Sequence, residues 1–355
     1  MRESIIDTDI HPAANPKHIA EFLPQPWRAR WEMGNMGSPP LGYWNPNGVR
    51  RVDAIGPDGA PIASDPVHLS KLFFDPYGIE YGIFLTEPHQ VLLTPEPDFA
   101  AAVASAINDV MIQRWLPVDA RFRIAMHVSP VDPALAAREI HRVGDTPGVA
   151  AVMLPSGARM AYGDRYYDPI YQAATEHHLP ICMHPGTEGA GISGAPTSAG
   201  YPGSYFEWHT GLVSSFITHL VSLLAQGTFQ KFPGLTFVLV EGGVSWIPPV
   251  LWRMDKNWKG LRKSVPWLDR LPSEIAREHI RMTTQPIEEP DRPGALQDML
   301  GMFDAAKMLM FSSDFPHWDG DTPDFAGRHF KGELRRRVMS ETAREVYRLP
   351  PPAGG

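Results

Sequence analysis

The fold this sequence predicts is a single α/β domain, a (β/α)8 TIM barrel with a long insertion after strand 1, and three observations predict it. The chain has 355 residues, inside the range of roughly 200 to over 400 that such barrels occupy. Short β-branched runs alternate with alanine- and leucine-rich helical stretches, the pattern of repeated βα units. Titratable residues gather at the carboxyl ends of those runs, the rim on which barrels build their active sites.

The eight strand candidates are residues 3–9 (ESIIDTD), 79–85, 121–128, 148–154, 179–184, 235–240, 278–284 and 307–312. Several are nearly continuous apolar runs, as strands covered on both faces should be. Helices are expected over 97–115, 132–143, 168–177 and 209–226; the first opens with Pro97 and Asp98, and the last closes at Gly227. An open doubly wound sheet has the same alternation, but no Gly-x-Gly-x-x-Gly turn follows the first strand. Residues 24–76 break the rhythm, being rich in Pro, Gly, Trp and Asn. Connections that long are usually functional, so the segment reads as a lid over the barrel mouth, a plain surface insertion or a contact in a homo-oligomer such as a dimer. The whole chain, 1–355, is taken as one domain.

Composition narrows the function classes. Apolar residues make up 43% and charged residues 20%, enough for a sizeable core and too little charge for disorder. The formal charge of -8 argues against nucleic-acid or anionic-membrane partners and leaves a small molecule as the expected one. Cys182 is the only cysteine, so the chain forms no internal disulfide or cysteine-based metal cluster and suits the reducing cytoplasm. No apolar run approaches the roughly 20 residues of a membrane helix, and the first residues lack a secretory core. The 37 prolines are spread along the chain, which implies many rigid loops.

Strand one ends Asp7-Thr8-Asp9-Ile10-His11, and residues 9 and 11 share a face because the strand period is two. Strand five ends in His184, and strand eight runs into Ser313-Asp314-Phe315-Pro316-His317. Together Asp9, His11, His184 and Asp314 make an N/O ligand set with room for water, suited to one divalent cation, Zn2+ first and Mn2+ next. Around it, His209 is placed at the start of the helix after strand five, on the same rim, where it reaches substrate. His219 lies roughly 15 Å further down that helix and is taken as structural. His127 ends strand three, and it and His317 are candidates for orienting substrate or a ligand. Arg159 is either a carboxylate partner or a solvated loop arginine. Trp27, Trp31 and Trp44 either wall an aromatic substrate or anchor the insertion.

The ordered set of Ile5 to His11, His184-Pro185-Gly186, Phe232-Pro233 leading into Val240-Glu241-Gly242-Gly243, Thr284-Gln285-Pro286 and Ser313 to His317 resembles the amidohydrolase superfamily. The branch is the one related to aminocarboxymuconate semialdehyde decarboxylase, amidohydrolase family 2. The resemblance implies a barrel with one divalent metal, bound by the strand-one pair and the strand-five histidine, with the strand-eight aspartate as ligand, proton carrier or both. Two departures stand out. Asp9 occupies the first place of the usual His-x-His pair, as a carboxylate does in some aromatic-acid decarboxylases of the branch. Glu241 stands where the decarboxylase offers a catalytic histidine.

Glu241 is therefore either a catalytic acid or base or a paired structural anion. The leading reaction is nonoxidative decarboxylation of a small aromatic or unsaturated acid, in which a protonated group delivers H+ to carbon. Hydrolysis of an amide, lactone or ester by metal-activated water follows closely, and both reactions use Asp314. A metal-bearing binding protein without turnover is a third class, disfavoured by the complete ligand set.

Overall fold

The computed structural model describes residues 3–33 and 51–351. Its eight strands are β1 (Ile5–Ile10), β2 (Ile79–Phe84), β3 (Phe122–His127), β4 (Val149–Pro155), β5 (Ile181–His184), β6 (Phe237–Leu239), β7 (Ile280–Thr283) and β8 (Leu309–Met310). They pair in sequence order, each parallel to the next. The ring closes where the chain beyond β8 meets β1: Thr8 N donates to Phe311 O at 3.0 Å, Asp314 N to Asp9 O at 3.0 Å, and His11 N to Phe315 O at 2.8 Å. Parallel neighbours need crossover connections, and the helices Pro97–Val110, Pro133–Val143 and Asp168–Glu176 supply three of them. Each begins with proline in its first turn, where a missing N–H costs nothing. Their buried stripes and the two-faced strands form one continuous core around Ile6, Phe84, Ile124, Val152, Phe237 and Met310.

The expected helix 209–226 is instead two helices, Tyr205–Gly211 and Val213–Ala225. Ser204 caps the first by accepting from Glu207 N, starting a separate turn upstream of the long apolar stripe. His209 therefore belongs to the last turn of the short helix, not to the start of the long one. The chain after Ala225 does stop at Gly227, whose φ of 69° is the left-handed geometry that glycine adopts without penalty.

Between β1 and β2 the described part of the expected insertion is more regular than its composition suggests. Helix Trp27–Glu32 lies before the undescribed stretch, and helix Pro66–Leu69, capped by Asp65, continues through the wide turn Ser70–Phe74. Trp31 is buried and donates to Pro16 O at 2.9 Å, while the Trp27 ring lies 5.7 Å from that of Phe99. Both indoles anchor the segment; Trp44 lies outside the described residues. Phe73 stacks on Phe315 with ring centroids 4.0 Å apart, and Arg51 donates to Gly320 O at 2.7 Å, so this connection rests on the loop after β8. Gly82 makes the close approach possible, because a Cβ there would lie 2.5 Å from the Phe74 ring. Among the described residues no helix is long and apolar enough to cross a membrane.

Candidate metal centre and its surroundings

The carboxyl ends of β1, β5, β6 and β8 bring Asp9, His11, His184, Glu241 and Asp314 together, with one donor atom of each within 4.8 Å of the others and all five residues buried. His11 Nε2 lies 3.0 Å from both Asp9 Oδ1 and Asp314 Oδ1. His184 Nε2 lies 3.8 Å from Asp9 Oδ2 and 2.8 Å from Glu241 Oε2. Donors at about 2.0–2.2 Å from an ion sit about 3.0 Å apart along an octahedral edge and about 3.4 Å apart along a tetrahedral one, so these separations fit one coordination sphere.

The hydrogen bonding fits an ion as well. Both Asp9 oxygens, His11 Nε2, His184 Nε2 and Asp314 Oδ2 are buried without a hydrogen-bond partner among the described residues. An unpaired buried polar atom is costly, and a carboxylate more so. The outer nitrogens are already committed: His11 Nδ1 donates to Leu85 O at 2.8 Å and His184 Nδ1 to Pro185 O at 2.9 Å, which turns each Nε2 lone pair inward. Burial opposes a proton on His11, but the charge of Asp9 and the Asp314 and Asp9 carboxylates that face its Nε2 outweigh it and push the imidazole up to about 10. A ring that would hold a proton so tightly sits in a field that attracts a dication.

Two positions in this cluster are conformationally unusual. Glu241 has φ 60° and Asp314 φ 57°, left-handed values rare for residues with a Cβ. Glu241 N is tied to Thr283 Oγ1 at 3.0 Å, and Asp314 N to the β1 backbone as described above. Asp7, a residue the sequence reading passed over, fixes the same corner by accepting from Ser313 N at 2.9 Å. Burial pushes its carboxyl up to about 7 despite the bonds it accepts.

Glu241 is not poised as a neutral acid. Burial favours its protonated form, but the facing imidazole of His184, and after it that of His209, overcome it and hold the carboxyl well below its ordinary value. The expected alternative of a structural anion also needs amending, since its partners are these two histidines. His209 Nε2 lies 3.8 Å from Glu241 Oε1 and 3.2 Å from Asp319 Oδ2. Burial opposes its charge, yet the facing carboxylates of Asp319 and Glu241 push it up to about 10. Tyr205, Trp208 and Trp318 surround it with ring centroids 5.4–5.9 Å from its own.

His317 reaches the centre directly: its Nδ1 is 2.6 Å from Asp314 Oδ1, its Nε2 is 3.5 Å from Glu87 Oε1, and its ring stacks on His11 at 4.5 Å. His127 is locked by Asn108, which bonds both its N–H and its C=O, and burial lowers its imidazole to about 4. Its ring lies 5.6 Å from His89, which lies 5.1 Å from His184. Glu87 and His89 were missed in the sequence, although they follow β2 on the same rim and the carboxyl-end rule would have found them. Arg159 is exposed and borders a neighbouring cleft of about 450 Å³ with Glu188, Ser214 and His219, outside the five-residue cluster. His219 is structural as expected, accepting from Tyr162 N at 3.0 Å and donating to Ser156 O at 2.8 Å.

Comparison with known proteins agrees with this architecture. The model of a family described as amidohydrolase matches residues 6–349. A gamma-resorcylate decarboxylase of Rhodococcus jostii is 26% identical over 258 residues, covering 68% of this chain and 74% of that protein. Its counterpart from a Polaromonas species is 25% identical over 291 residues, covering 78% and 85%. Among solved structures, 5-carboxyvanillate decarboxylase from Sphingomonas paucimobilis aligns with a TM-score of 0.68 at 20% identity, over 98% of this chain and 99% of that one. A dihydroxybenzoic acid decarboxylase from Polaromonas, with bound manganese and the inhibitor 2-nitroresorcinol, aligns with a TM-score of 0.67 at 19% identity, over 98% and 97%.

Proposed function

The chain belongs to the amidohydrolase family, and from that premise we propose that it is a nonoxidative carboxy-lyase that removes CO2 from a small aromatic acid bearing an oxygen next to the carboxyl. Asp9, His11, His184 and Asp314 would hold one divalent cation. The 3.0 Å donor separations around His11 suit an octahedral ion, which supports Mn2+ ahead of the Zn2+ ranked first from sequence, as does the manganese in the Polaromonas structure. When bound, the ion supplies positive charge for the substrate carboxylate and its neighbouring oxygen.

The observation that carries the reading is the placement of Asp314, whose Oδ1 lies 3.0 Å from His11 Nε2 and 2.6 Å from His317 Nδ1. One carboxyl thus faces the reacting centre and a partly exposed imidazole at once. In the forward reaction Asp314 delivers a proton to the ring carbon that carries the carboxylate; the carbon–carbon bond then breaks, its electron pair restores the ring, and CO2 leaves. His317, backed by Glu87, returns a proton to Asp314 from solvent. Burial keeps His127 and His89 neutral, so they can contact the substrate without adding charge. Glu241 stays ionised and orients His184 and His209.

The test is CO2 release from a panel of ortho-hydroxylated benzoic acids by chain loaded with Mn2+ and by chain stripped with chelator. The proposal expects release only from the loaded form. Hydrolysis of amides, esters or lactones with no CO2 from any acid would replace it with the hydrolytic reading.

A further inference from the structure

We infer that a late first-row dication, Zn2+ or Cu2+, binds between His141 and His177 on the opposite face of the barrel and clamps two neighbouring crossover helices together. His141 lies in the last turn of helix Pro133–Val143, and His177 ends helix Asp168–Glu176. These helices lead into β4 and β5, so their carboxyl ends sit at the amino-terminal face of the barrel, away from the rim that carries Asp9, His11, His184 and Asp314. The inference is independent of the reaction proposed above.

Two imidazole nitrogens face each other there. His141 Nδ1 lies 3.1 Å from His177 Nε2, and the rings are tilted at 55° with centroids 5.2 Å apart, so they meet through nitrogens and not through their faces. The separation is close to the roughly 3.4 Å between donors that share a four-coordinate ion. His177 is oriented from behind. Its Nδ1 lies 2.8 Å from Asp145 Oδ1, which fixes the proton on Nδ1 and leaves the Nε2 lone pair towards His141. A carboxylate behind a histidine ligand is the usual support of a zinc site. Gly144 seats the same ring, since a Cβ there would lie 3.0 Å from His177 Cγ. The His177 side chain is only 13% exposed, whereas His141 is open to solvent and leaves the remaining coordination positions to water.

Charge favours a cation at this place. Both histidines stand at helix C-termini, where unpaired carbonyls carry partial negative charge. Asp145 and Glu176 add formal negative charge at the same ends. Arg142, next to His141 in the chain, donates to Glu139 Oε2 at 2.8 Å and to Asp109 Oδ1 at 2.9 Å instead. Arg138, one turn earlier, is exposed to solvent, where its charge is screened. Two imidazoles suit Zn2+ and Cu2+ and hold Mn2+ weakly, so loading the chain with Mn2+ leaves this position free. The competing occupant is a proton. Without an ion, His141 Nδ1–H donates to His177 Nε2, and each ion bound at neutral pH releases that one proton.

The experiment is carbethoxylation of the full Mn2+-loaded chain with diethyl pyrocarbonate, read histidine by histidine by peptide mass spectrometry, over micromolar to millimolar Zn2+. Reading each histidine separates this position from Zn2+ that exchanges into the rim. Modification of His141 and His177 should slow by about tenfold once free Zn2+ is about ten times its dissociation constant, while His18, on helix Pro16–Phe22, is unaffected. Asp145→Asn should need about tenfold more Zn2+ for the same protection. His141→Gln, checked for folding by circular dichroism, should lose the protection of His177. An unchanged rate at His141 up to millimolar Zn2+ overturns the proposal, and so does undiminished protection of His177 in folded His141→Gln. Failure to release CO2 in the assay above bears on the proposed function alone.

Discussion

Replacing Asp314 with asparagine isolates the proton from everything else that Asp314 does. The side chain is fully buried, with Oδ1 placed 2.6 Å from His317 and 3.0 Å from His11. Asparagine matches its shape, keeps an oxygen for the ion, and is among the residues that tolerate the left-handed φ of 57° found there. What the amide cannot do is carry a titrating proton. A positioned proton carrier contributes about 10²- to 10⁴-fold to turnover, equivalent to about 3–5 kcal/mol of transition-state stabilisation. The weakened bond to His317 adds roughly 1–2 kcal/mol felt in both ground and transition states. Asp314→Asn, loaded with Mn2+ and checked for metal content, should lose at least about a hundredfold in kcat while KM moves by less than about tenfold. CO2 release under saturating acid measures both. A metal-replete variant that keeps kcat within about threefold of wild type would refute the assignment of the proton to Asp314.

Three other substitutions test separate parts of the account. His184→Ala should remain folded by circular dichroism yet lose most of its bound metal, and equal metal in wild type and variant would show that His184 is not a ligand. His317→Gln should lower kcat by about 10- to 100-fold and displace the pH profile with little change in KM, since Asp314 would lose its route to solvent protons; an unmoved profile would make His317 a packing residue. His219 is buried and held neutral, with burial lowering it to about 4 from an unfolded value near 6.5. Its contribution is therefore complete above pH 6.5 and is lost as pH falls towards 4, by about 3 kcal/mol. Urea unfolding of His219→Gln should show a correspondingly shallower acid loss than wild type, and parallel losses would contradict the assignment.

The barrel was legible because its strands are covered on both faces and so appear as apolar runs that need no periodicity; each observed strand end lies within two residues of its expected position. The candidate donor cluster was legible for a related reason, that its members lie at or just beyond the carboxyl ends of β1, β5 and β8. What escaped was set by loops. Asp319 sits where the backbone has no period to read, Glu87 and His89 follow β2 on the rim that the carboxyl-end rule covers but were not singled out, and Asp7 hid inside the strand whose later residues drew notice. Helix Tyr205–Gly211 separated from the longer helix because of a cap at Ser204 that the apolar stripe obscured. Glu241 is the instructive case. Sequence alone allowed a carboxyl raised by burial, whereas its state is decided by His184 and His209, which come from distant parts of the chain and meet it only in the fold.

The most direct test of the central claim is to run the Mn2+-loaded chain on an ortho-hydroxylated benzoic acid in D2O and, separately, in H2 18O, following both products by NMR and mass spectrometry. The account predicts one CO2 per acid consumed, one deuterium at the ring carbon that carried the carboxyl, and no 18O in the aromatic product. An intact carboxyl in every acid of the panel, together with 18O entering the carboxylate released from an ester, amide or lactone, would contradict it.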